Sequence, residues 1–310
     1  MGSGRRGADG LARPSVTSPT EDRSIPRGRD KIRSVDPVGE AESIEIQLFL
    51  EGIHARYGYD LREYARPSMH RRVMAALAAS GAPHLGELLH RVLHDRELFA
   101  EVLERLTVRV SELFRDPSFF QAYRTTVIPL LRTYPMLKIW HAGCATGEEA
   151  YSSAILLREE GLYERTQIYA TDLSPRALQH AKDGVYPVSI LPSLTTNHEQ
   201  SGGKQPIEDH VTEAYGQIAI REPLKKNILF FQHDLVTDHV FGEMHVVFCR
   251  NVLFYFGGEL RQRVVRKLAQ SLIPGGFMCL GTSERPPDAV PALKRFGGDR
   301  GDLCIYRYEP

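Results

Sequence analysis

A glycine-containing loop followed by two glutamates is the first segment that could bind a ligand. Residues 140–149 read WHAGCATGEE, and glycines at 143 and 147 allow a sharp turn with close backbone approach. A helix starting there would present free N–H groups. Carboxylates at Glu148 and Glu149 would repel a pyrophosphate and attract a cationic amino group or a sulfonium. The loop therefore favours S-adenosylmethionine over NAD, although the two carboxylates could instead simply complement the helix dipole.

An aspartate follows the next predicted strand. The segment TQIYATD ends at Asp172, and an acidic residue at this place in an α/β unit can accept hydrogen bonds from both ribose hydroxyls. The alternative is a local role beside the helix that is predicted to begin after Ser174. The order of glycine loop, helix, strand and aspartate favours ribose binding.

Polar side chains also follow two later predicted strands. Asp234 and Leu235 end the segment ILFFQHDL, and Asp234 could contact an adenine amino group. Arg250 and Asn251 follow HVVFC and precede an aromatic cluster that contains Tyr255. Polar groups at such strand ends are placed to meet a ligand or a partner chain. Plain packing is the alternative for Tyr255.

Strands alternate with helices from residue 137 to the C-terminus, which predicts an α/β fold with a parallel sheet covered on both faces. LCIYRYE is predicted as the last strand, at the edge of the sheet, and GELRQRVVRKLAQSLIPGG as a helix that ends at Pro274-Gly275-Gly276. Residues 186–227 interrupt the alternation with prolines and glycines. This stretch is too long for a simple connection and predicts an inserted subdomain.

The chain divides into four predicted regions. Residues 1–40 mix Gly, Pro, Ser and charged residues, which is typical of a disordered tail. Residues 41–122 have a helical period and predict a small all-helical domain. Residues 123–136 are predicted as a linker helix, and residues 137–310 as the α/β domain that would bind S-adenosylmethionine.

Composition excludes several classes of protein. With 39 basic and 39 acidic side chains, the chain lacks a broad electrostatic footprint for nucleic acid or an anionic membrane. No apolar run is long enough for a transmembrane helix, and no signal-peptide pattern is present. The four cysteines are far apart, which argues against a disulfide framework and a zinc site. We therefore expect a soluble cytoplasmic protein without a metal site.

Taken together, these motifs resemble the CheR family of protein-glutamate methyltransferases. WHAGCATGEEAYS is similar to the family's W-x-A-G-C-x-T-G-E-E-x-Y-S, and FCRNVLFYF to its F-C-R-N-V-x-I-Y-F. SELFRDPSFF and GTSE are similar to the family's T-x-F-F-R-(D/E) and G-x-S-E. The resemblance covers about residues 42–308. It implies a helical N-terminal domain and a Rossmann-like class I methyltransferase domain with a small inserted subdomain.

The resemblance also implies roles for individual residues, with S-adenosylmethionine as cofactor and S-adenosylhomocysteine as product. Glu149 and Asp172 would hold the methionine amino group and the ribose. The other implied cofactor-side residues are Ser111, Arg115, Gly143, Asp234, Leu235, Arg250 and Asn251. Arg115 would also reach into the catalytic cleft, and Tyr255 would line the entry of the substrate carboxylate.

Three positions and one segment depart from the family pattern. Arg109 stands where the family often has Asn, and Ser111 stands where it often has Thr but keeps a hydroxyl. Asp234 replaces a frequent Asn, so it can accept a hydrogen bond but cannot donate one when ionised. The inserted segment, residues 186–227, differs most from the chemotaxis enzymes, which dock receptor tails in this region.

The implied activity is methyl transfer to glutamate side chains in an acidic helical region of a chemoreceptor or another signalling protein. A glutamate with a pKa of about 4.3 is ionised at pH 7, so catalysis would require positioning by Arg115 and Tyr255 but no general base. A basic cluster could dock the acidic helix or be only a solvated face: Arg62, Arg66, His70, Arg71 and Arg72.

Two other classes of function remain open from the sequence. One is a regulatory module that binds S-adenosylmethionine without catalysis, although Arg115, Asn251 and Tyr255 argue against it. The other is a methyltransferase with a different substrate, such as a small molecule or a nucleic acid. The zero net charge gives a nucleic-acid substrate no support.

Overall fold

The structure is a computed structural model that describes residue 1 and residues 37–107, 111–297 and 304–310. Most of the predicted tail, and Arg109, lie outside the described residues. The first helix begins at Pro37, within the segment that was predicted as tail.

Four helices form the N-terminal domain, and short-range signals set their ends. They are α1 (Pro37–Tyr57), α2 (Arg66–Ser80), α3 (Leu85–His94) and α4 (Arg96–Leu106). Helix α2 ends at Gly81, whose left-handed backbone (φ 68°) stops the helix. The Asp95 side chain caps α4 by accepting the N–H groups of Glu97 and Leu98. Buried apolar residues from all four helices share one core.

A helical segment then leads to the sheet. It consists of α5 (Pro117–Ala122), a π-helical turn (Tyr123–Val127) and α6 (Ile128–Leu131). The segment begins at Pro117, before the boundary at residue 123 that the sequence predicted for the linker. Its buried face carries Phe119, Phe120 and Tyr123, which pack in the same core as the sheet residue Phe248.

The second domain is built on a seven-stranded sheet with the order β6-β2-β1-β7-β8-β10-β9. The strands are β1 (Leu137–Ala142), β2 (Thr166–Asp172), β6 (Ile228–Gln232), β7 (Met244–Cys249), β8 (Leu272–Leu280), β9 (Leu293–Arg295) and β10 (Ile305–Tyr308). Strands β6, β2, β1, β7 and β8 run parallel to one another. Strand β10 pairs antiparallel with both β8 and β9. This confirms the predicted α/β class with a mostly parallel sheet.

Helices cover both faces of this sheet. They are α7 (Glu148–Glu159), α8 (Pro175–Asp183) and α10 (Gly258–Gln270). Ile139 packs with residues of α7 and α8 in one core, whereas Trp140, the next residue of β1, packs with residues of α10 in another. This alternation follows from the period of two in a strand.

Two details of the predicted sheet were wrong. Strand β10 was expected at the edge, but it lies between β8 and the short β9. Helix α10 was expected to continue to the Pro-Gly-Gly segment, but it ends at Gln270, and Pro274 and Gly275 lie inside β8. The pairing of β7 with β8 shifts register at this point. The Pro-Gly-Gly segment therefore forms an irregularity near the start of β8.

The predicted insertion is a small subdomain between α8 and β6. It contains β3 (Val185–Pro187), α9 (Leu191–Gln200), β4 (Val211–Ala214) and β5 (Gln217–Ile220), and its sheet has the order β3-β5-β4. The Tyr186 hydroxyl donates to the Thr146 carbonyl at 2.8 Å, which ties the insertion to the loop after β1. Among the described residues, no helix is long and apolar enough to cross a membrane.

Candidate active site

A cavity lies where the helical domain meets the carboxyl ends of the parallel strands. It encloses about 1030 Å³ of empty space, including solvent at its mouth. Its wall contains every residue that the sequence predicted for the site: Ser111, Arg115, Gly143, Glu149, Asp172, Asp234, Leu235, Arg250, Asn251 and Tyr255. The structure thus brings these residues together, and their individual roles stay predictions.

The loop after β1 is held against the end of β2. The N–H groups of Gly143 and Cys144 both donate to the Thr171 carbonyl at 2.8 Å. Gly143 has a φ of 79°, and a Cβ atom on it would come within 2.7 Å of a Val252 methyl group. Glycine is therefore required at this position on both conformational and steric grounds.

Asp172 orients the same loop from the end of β2. Its Oδ2 accepts the Ala145 N–H at 2.9 Å, and its Oδ1 accepts the Ser174 N–H at 2.9 Å. The helix cap itself is Ser174, whose hydroxyl accepts the Ala177 N–H. Because Ser174 caps α8, the position of Asp172 on the cavity wall favours the ribose role over the capping alternative.

Glu149 lies between two basic partners. Its Oε1 is 3.0 Å from His141 Nδ1, and its Oε2 accepts a hydrogen bond from Arg250 at 2.9 Å. Burial alone would raise the pKa of Glu149, but the His141 hydrogen bond and the Arg250 charge hold this pKa below its usual value. An ionised carboxylate on the cavity wall suits a cationic amino group.

Arg250 joins the cofactor side of the cavity to the segment that carries Arg115. Besides Glu149, its guanidinium donates to Asp116 Oδ2 at 2.8 Å and to the Arg115 carbonyl at 3.3 Å. It also lies 4.0 Å from the centre of the Phe119 ring. Only 1% of the side chain is exposed, so Arg250 fixes the relative position of two walls of the cavity in addition to bordering it.

Two guanidinium groups and a phenol also lie on the cavity wall, those of Arg115, Arg72 and Tyr255. Arg115 belongs to a segment that is anchored by the Phe114 N–H, which donates to the Ser152 hydroxyl at 2.7 Å. The guanidinium of Arg72 lies 4.3 Å from the centre of the Tyr255 ring. Burial raises the pKa of Tyr255, although Arg72 and Arg115 oppose the rise. Tyr255 is therefore a neutral hydrogen-bond donor at pH 7.

The inward position of Arg72 corrects the predicted basic docking cluster. Arg72 is buried, lines the cavity and donates to the Leu106 carbonyl at 2.8 Å. Arg62 forms ion pairs with Glu51 and Asp60. The periodicity of α2 did not reveal which arginine faced inward, because the cavity that receives Arg72 is completed by the other domain.

Glu284 supports the site and was not singled out from the sequence. It is buried, and it accepts backbone N–H groups from Asn251 (2.9 Å), Leu253 (2.8 Å) and Gly281 (2.7 Å). Three such bonds hold the loop after β7 against the end of β8. The signal was present as the final residue of the GTSE motif.

Burial also affects two further carboxyl groups, Glu148 in the first turn of α7 and Asp234 on the cavity wall. Burial raises the pKa of Glu148, partly offset by hydrogen bonds that include those from Thr146 and Ser111. Burial likewise raises the pKa of Asp234, whose Oδ1 accepts the Val236 N–H at 2.7 Å. Asp234 adjoins Leu235 on the wall, which gives an adenine both a polar and an apolar contact.

This wall fits S-adenosylmethionine. The carboxylates of Glu149 and Asp172 suit its amino group and ribose hydroxyls, and partly buried apolar side chains such as Leu235 and Val252 suit the adenine. The same carboxylates would repel the pyrophosphate of a dinucleotide.

Two protein-family profiles match the chain one after the other. The profile "CheR methyltransferase, SAM binding domain" matches residues 109–299, and "CheR methyltransferase, all-alpha domain" matches residues 44–107. The chain is 46% identical to "Putative methyltransferase Cher3" of Pseudomonas putida over 78% of this chain and 88% of the relative. It is 30% identical to a "Chemotaxis protein methyltransferase" of Listeria monocytogenes over 74% of this chain and 85% of the relative.

Solved structures that resemble the chain include the N-methyltransferase NodS of Bradyrhizobium japonicum in complex with S-adenosylhomocysteine. The alignment covers 64% of this chain and 90% of NodS, with 13% identity and a TM-score of 0.37. The two family profiles together span most of the described chain, and the cavity lies where the domains that they match meet. The chain belongs to the CheR family of S-adenosylmethionine-dependent methyltransferases.

Proposed function

We propose that this protein transfers a methyl group from S-adenosylmethionine to glutamate side-chain carboxylates of a chemoreceptor-like signalling protein, in the cytoplasm. The observation that carries the proposal is the polarity of the cavity. Glu149 and Asp172 supply carboxylates that suit the cofactor. The same wall carries Arg72, Arg115 and Tyr255, which can donate hydrogen bonds to an acceptor carboxylate. Relatives named as chemotaxis protein methyltransferases support the class of acceptor.

On the cofactor side, bound S-adenosylmethionine supplies an electrophilic methyl group on a sulfonium. Glu149 holds the amino group, Asp172 the ribose, and Asp234 with Leu235 the adenine. Ser111, Gly143 and Asn251 border the same ligand. No residue on this side has to take or give a proton during methyl transfer.

On the acceptor side, the glutamate carboxylate is the nucleophile and is already ionised at pH 7. The protein must remove water from the carboxylate and aim one oxygen at the methyl carbon, and such orientation can contribute about 7–11 kcal/mol. The guanidinium of Arg115 holds the other oxygen. Because the Tyr255 phenol stays neutral, it can donate a hydrogen bond without repelling the carboxylate.

The acceptor approaches along the exposed part of α2. Arg66 and Arg71 are exposed there, and Tyr64, which precedes this helix, lines both the cavity and a neighbouring surface groove. A helix that carries acidic residues fits such a path because its glutamates would pass basic side chains before they reach Arg115.

The proposal is tested by incubating the protein with S-adenosylmethionine that is isotopically labelled at the methyl group and the cytoplasmic helical fragment of a chemoreceptor. We expect label on glutamate residues, located by mass spectrometry and released as methanol by mild base, as methyl esters require. Acceptor variants with those glutamates replaced by glutamine serve as the control. Label that resists base, or label retained on the glutamine variants, would contradict glutamate ester formation.

A further inference from the structure

A second cluster of ligand-type side chains lies at the far end of α7, away from the cavity. Glu159 ends α7, His198 lies on α9 and His210 directly precedes β4. One donor atom from each of these residues lies within 4.8 Å of the others. The cluster therefore joins the inserted subdomain to the main domain. None of its members lines the cavity.

Burial makes this cluster unusual. His198 and His210 are 2% and 0% exposed, and the Glu159 side chain is fully buried. His198 Nε2 lies 2.9 Å from Glu159 Oε1, but His210 Nε2 lies 3.6 Å from the same oxygen, too far for a hydrogen bond. Both ring nitrogens of His210 lack a hydrogen-bond partner among the described residues. A buried imidazole nitrogen without a partner destabilises the fold.

The spacing and chemistry of the three donors fit one shared cation. Two ligands that each lie about 2.0–2.1 Å from Zn²⁺ in a tetrahedron are about 3.4 Å apart, and the two distances to Glu159 Oε1, 2.9 and 3.6 Å, lie on either side of this value. Two imidazoles and one carboxylate suit zinc and similar transition metals, whereas magnesium and calcium prefer oxygen ligands. We propose that Glu159, His198 and His210 bind a zinc-class divalent cation that fastens the inserted subdomain to α7.

Neighbouring groups hold the carboxylate in place for this role. Arg124 donates to Glu159 Oε2 at 2.7 Å, and the backbone N–H groups of Lys204 and Gln205 donate to Oε1 at 3.0 and 3.1 Å. With donors on both oxygens, the Glu159 carboxylate is fixed in one orientation beside His198 and His210.

Two further contacts shape the site. Arg124 also donates to Glu160 Oε1 at 2.7 Å, so Glu160 offsets part of the positive charge beside the cation. The backbone at Gly203 lies directly against the His198 ring, and any Cβ atom there would overlap the ring. Glycine at this position lets the chain close over the imidazole and exclude bulk water.

The bound cation acts on the structure and takes no part in methyl transfer. The subdomain that it fastens also contains Tyr186, which donates to the Thr146 carbonyl in the loop of the catalytic cavity. Metal binding therefore stabilises the fold and, through this one contact, the loop.

Metal binding can be measured without an activity assay. The full-length protein is first stripped with EDTA and then titrated with Co²⁺, whose visible absorption reports tetrahedral coordination, and the bound Co²⁺ is displaced with Zn²⁺. We expect one cation per chain. In a separate melt, Zn²⁺ at about a hundred times its dissociation constant should raise the unfolding temperature by about 5 °C or more.

Variants locate the site. His210→Gln keeps the approximate volume of the side chain but removes a ligand, and it should weaken Co²⁺ binding at least tenfold. His90→Gln, at an exposed histidine on α3, should bind like the unaltered protein. Absence of Co²⁺ absorption together with identical melting with and without Zn²⁺ in the unaltered protein would overturn the proposal. Unchanged affinity in a folded His210→Gln variant would overturn it equally.

Discussion

At the scale of single residues, largely buried ion pairs hold the walls of the cavity in position. Arg250 holds Glu149 with one nitrogen and Asp116 with another. Removing one member of such a buried pair leaves the other uncompensated, which typically costs about 3–5 kcal/mol. The cofactor loop and the Arg115 segment are therefore positioned by the same guanidinium.

Asp234 offers a test of how burial acts on one carboxyl group. Because burial raises its pKa in the folded protein, the ionised form destabilises the fold, and this penalty grows as the pH rises above the unfolded-state pKa of about 3.9. An Asn side chain can keep the bond from the Val236 N–H without the charge. We expect Asp234→Asn to raise the melting temperature by about 2 °C at pH 7 and to have no such effect below about pH 4.

Melting curves of both proteins across this pH range would measure the difference. Asp288→Asn, at an exposed position, is the matched control and should show no pH-dependent gain. A gain for Asp234→Asn that is equally large at low pH would show that its origin is not the buried charge.

Much of the site was predictable at this scale. Asp172 ends a strand, and Asp234 and Arg250 come shortly after two others. The carboxyl ends of parallel strands meet at one edge of a sheet. The inward position of Arg72 was not predictable, because it depends on how two domains meet. The cluster of Glu159, His198 and His210 has no motif spacing, so only the folded insertion brings its members together.

At the scale of elements, Glu284 joins the ends of two strands. It accepts backbone N–H groups from the loop after β7 and from the end of β8. Glu284→Gln would place an amide donor against at least one of these N–H groups. We expect a loss of about 1–3 kcal/mol of unfolding free energy, measured by urea unfolding. Binding of S-adenosylhomocysteine should weaken as well, because Asn251 moves.

The control for this change is Glu259→Gln, at an exposed position in the first turn of α10. It should leave both unfolding free energy and ligand affinity within error of the unaltered protein. If Glu284→Gln behaved in the same way, the three backbone bonds would not be what holds the loop.

Element types followed from the sequence more reliably than element ends. The pattern Ser174-Pro175 with Gly184 predicted the helix α8, and the structure has α8 between this cap and this glycine. The Pro-Gly-Gly segment was predicted to end a helix, yet it lies inside β8, because pairing with β7 overrides the local signal. The edge position of β9 results from its antiparallel pairing with β10. A strand of three residues is too short for the sequence to predict such a pairing.

At the scale of the whole molecule, two domains build one cavity. The Ala65 N–H donates to the Tyr255 carbonyl at 2.8 Å, and the Gly257 N–H donates to the Glu63 carbonyl at 3.0 Å. Tyr64 packs edge-on against Phe256. These contacts between the two domains place Arg72 beside Tyr255. The helical domain thereby supplies Tyr64 and Arg72 to the cavity wall, and the α/β domain supplies the residues at the strand ends.

We propose that Arg115 positions the acceptor carboxylate, whereas Glu149 and Asp172 hold the cofactor. To test this role, kcat/KM for methyl-ester formation is compared with the calorimetric affinity for S-adenosylhomocysteine in Arg115→Ala. Arg266→Ala, at an exposed position on α10, is the matched control. Asp172→Ala, in contrast, should lose affinity for S-adenosylhomocysteine.

For Arg115→Ala we expect kcat/KM to fall by about a hundredfold or more, as loss of an orienting contact does, with affinity for S-adenosylhomocysteine changed by less than about threefold. Arg266→Ala should change neither quantity. Full kcat/KM in Arg115→Ala with unchanged ligand affinity would contradict the claim.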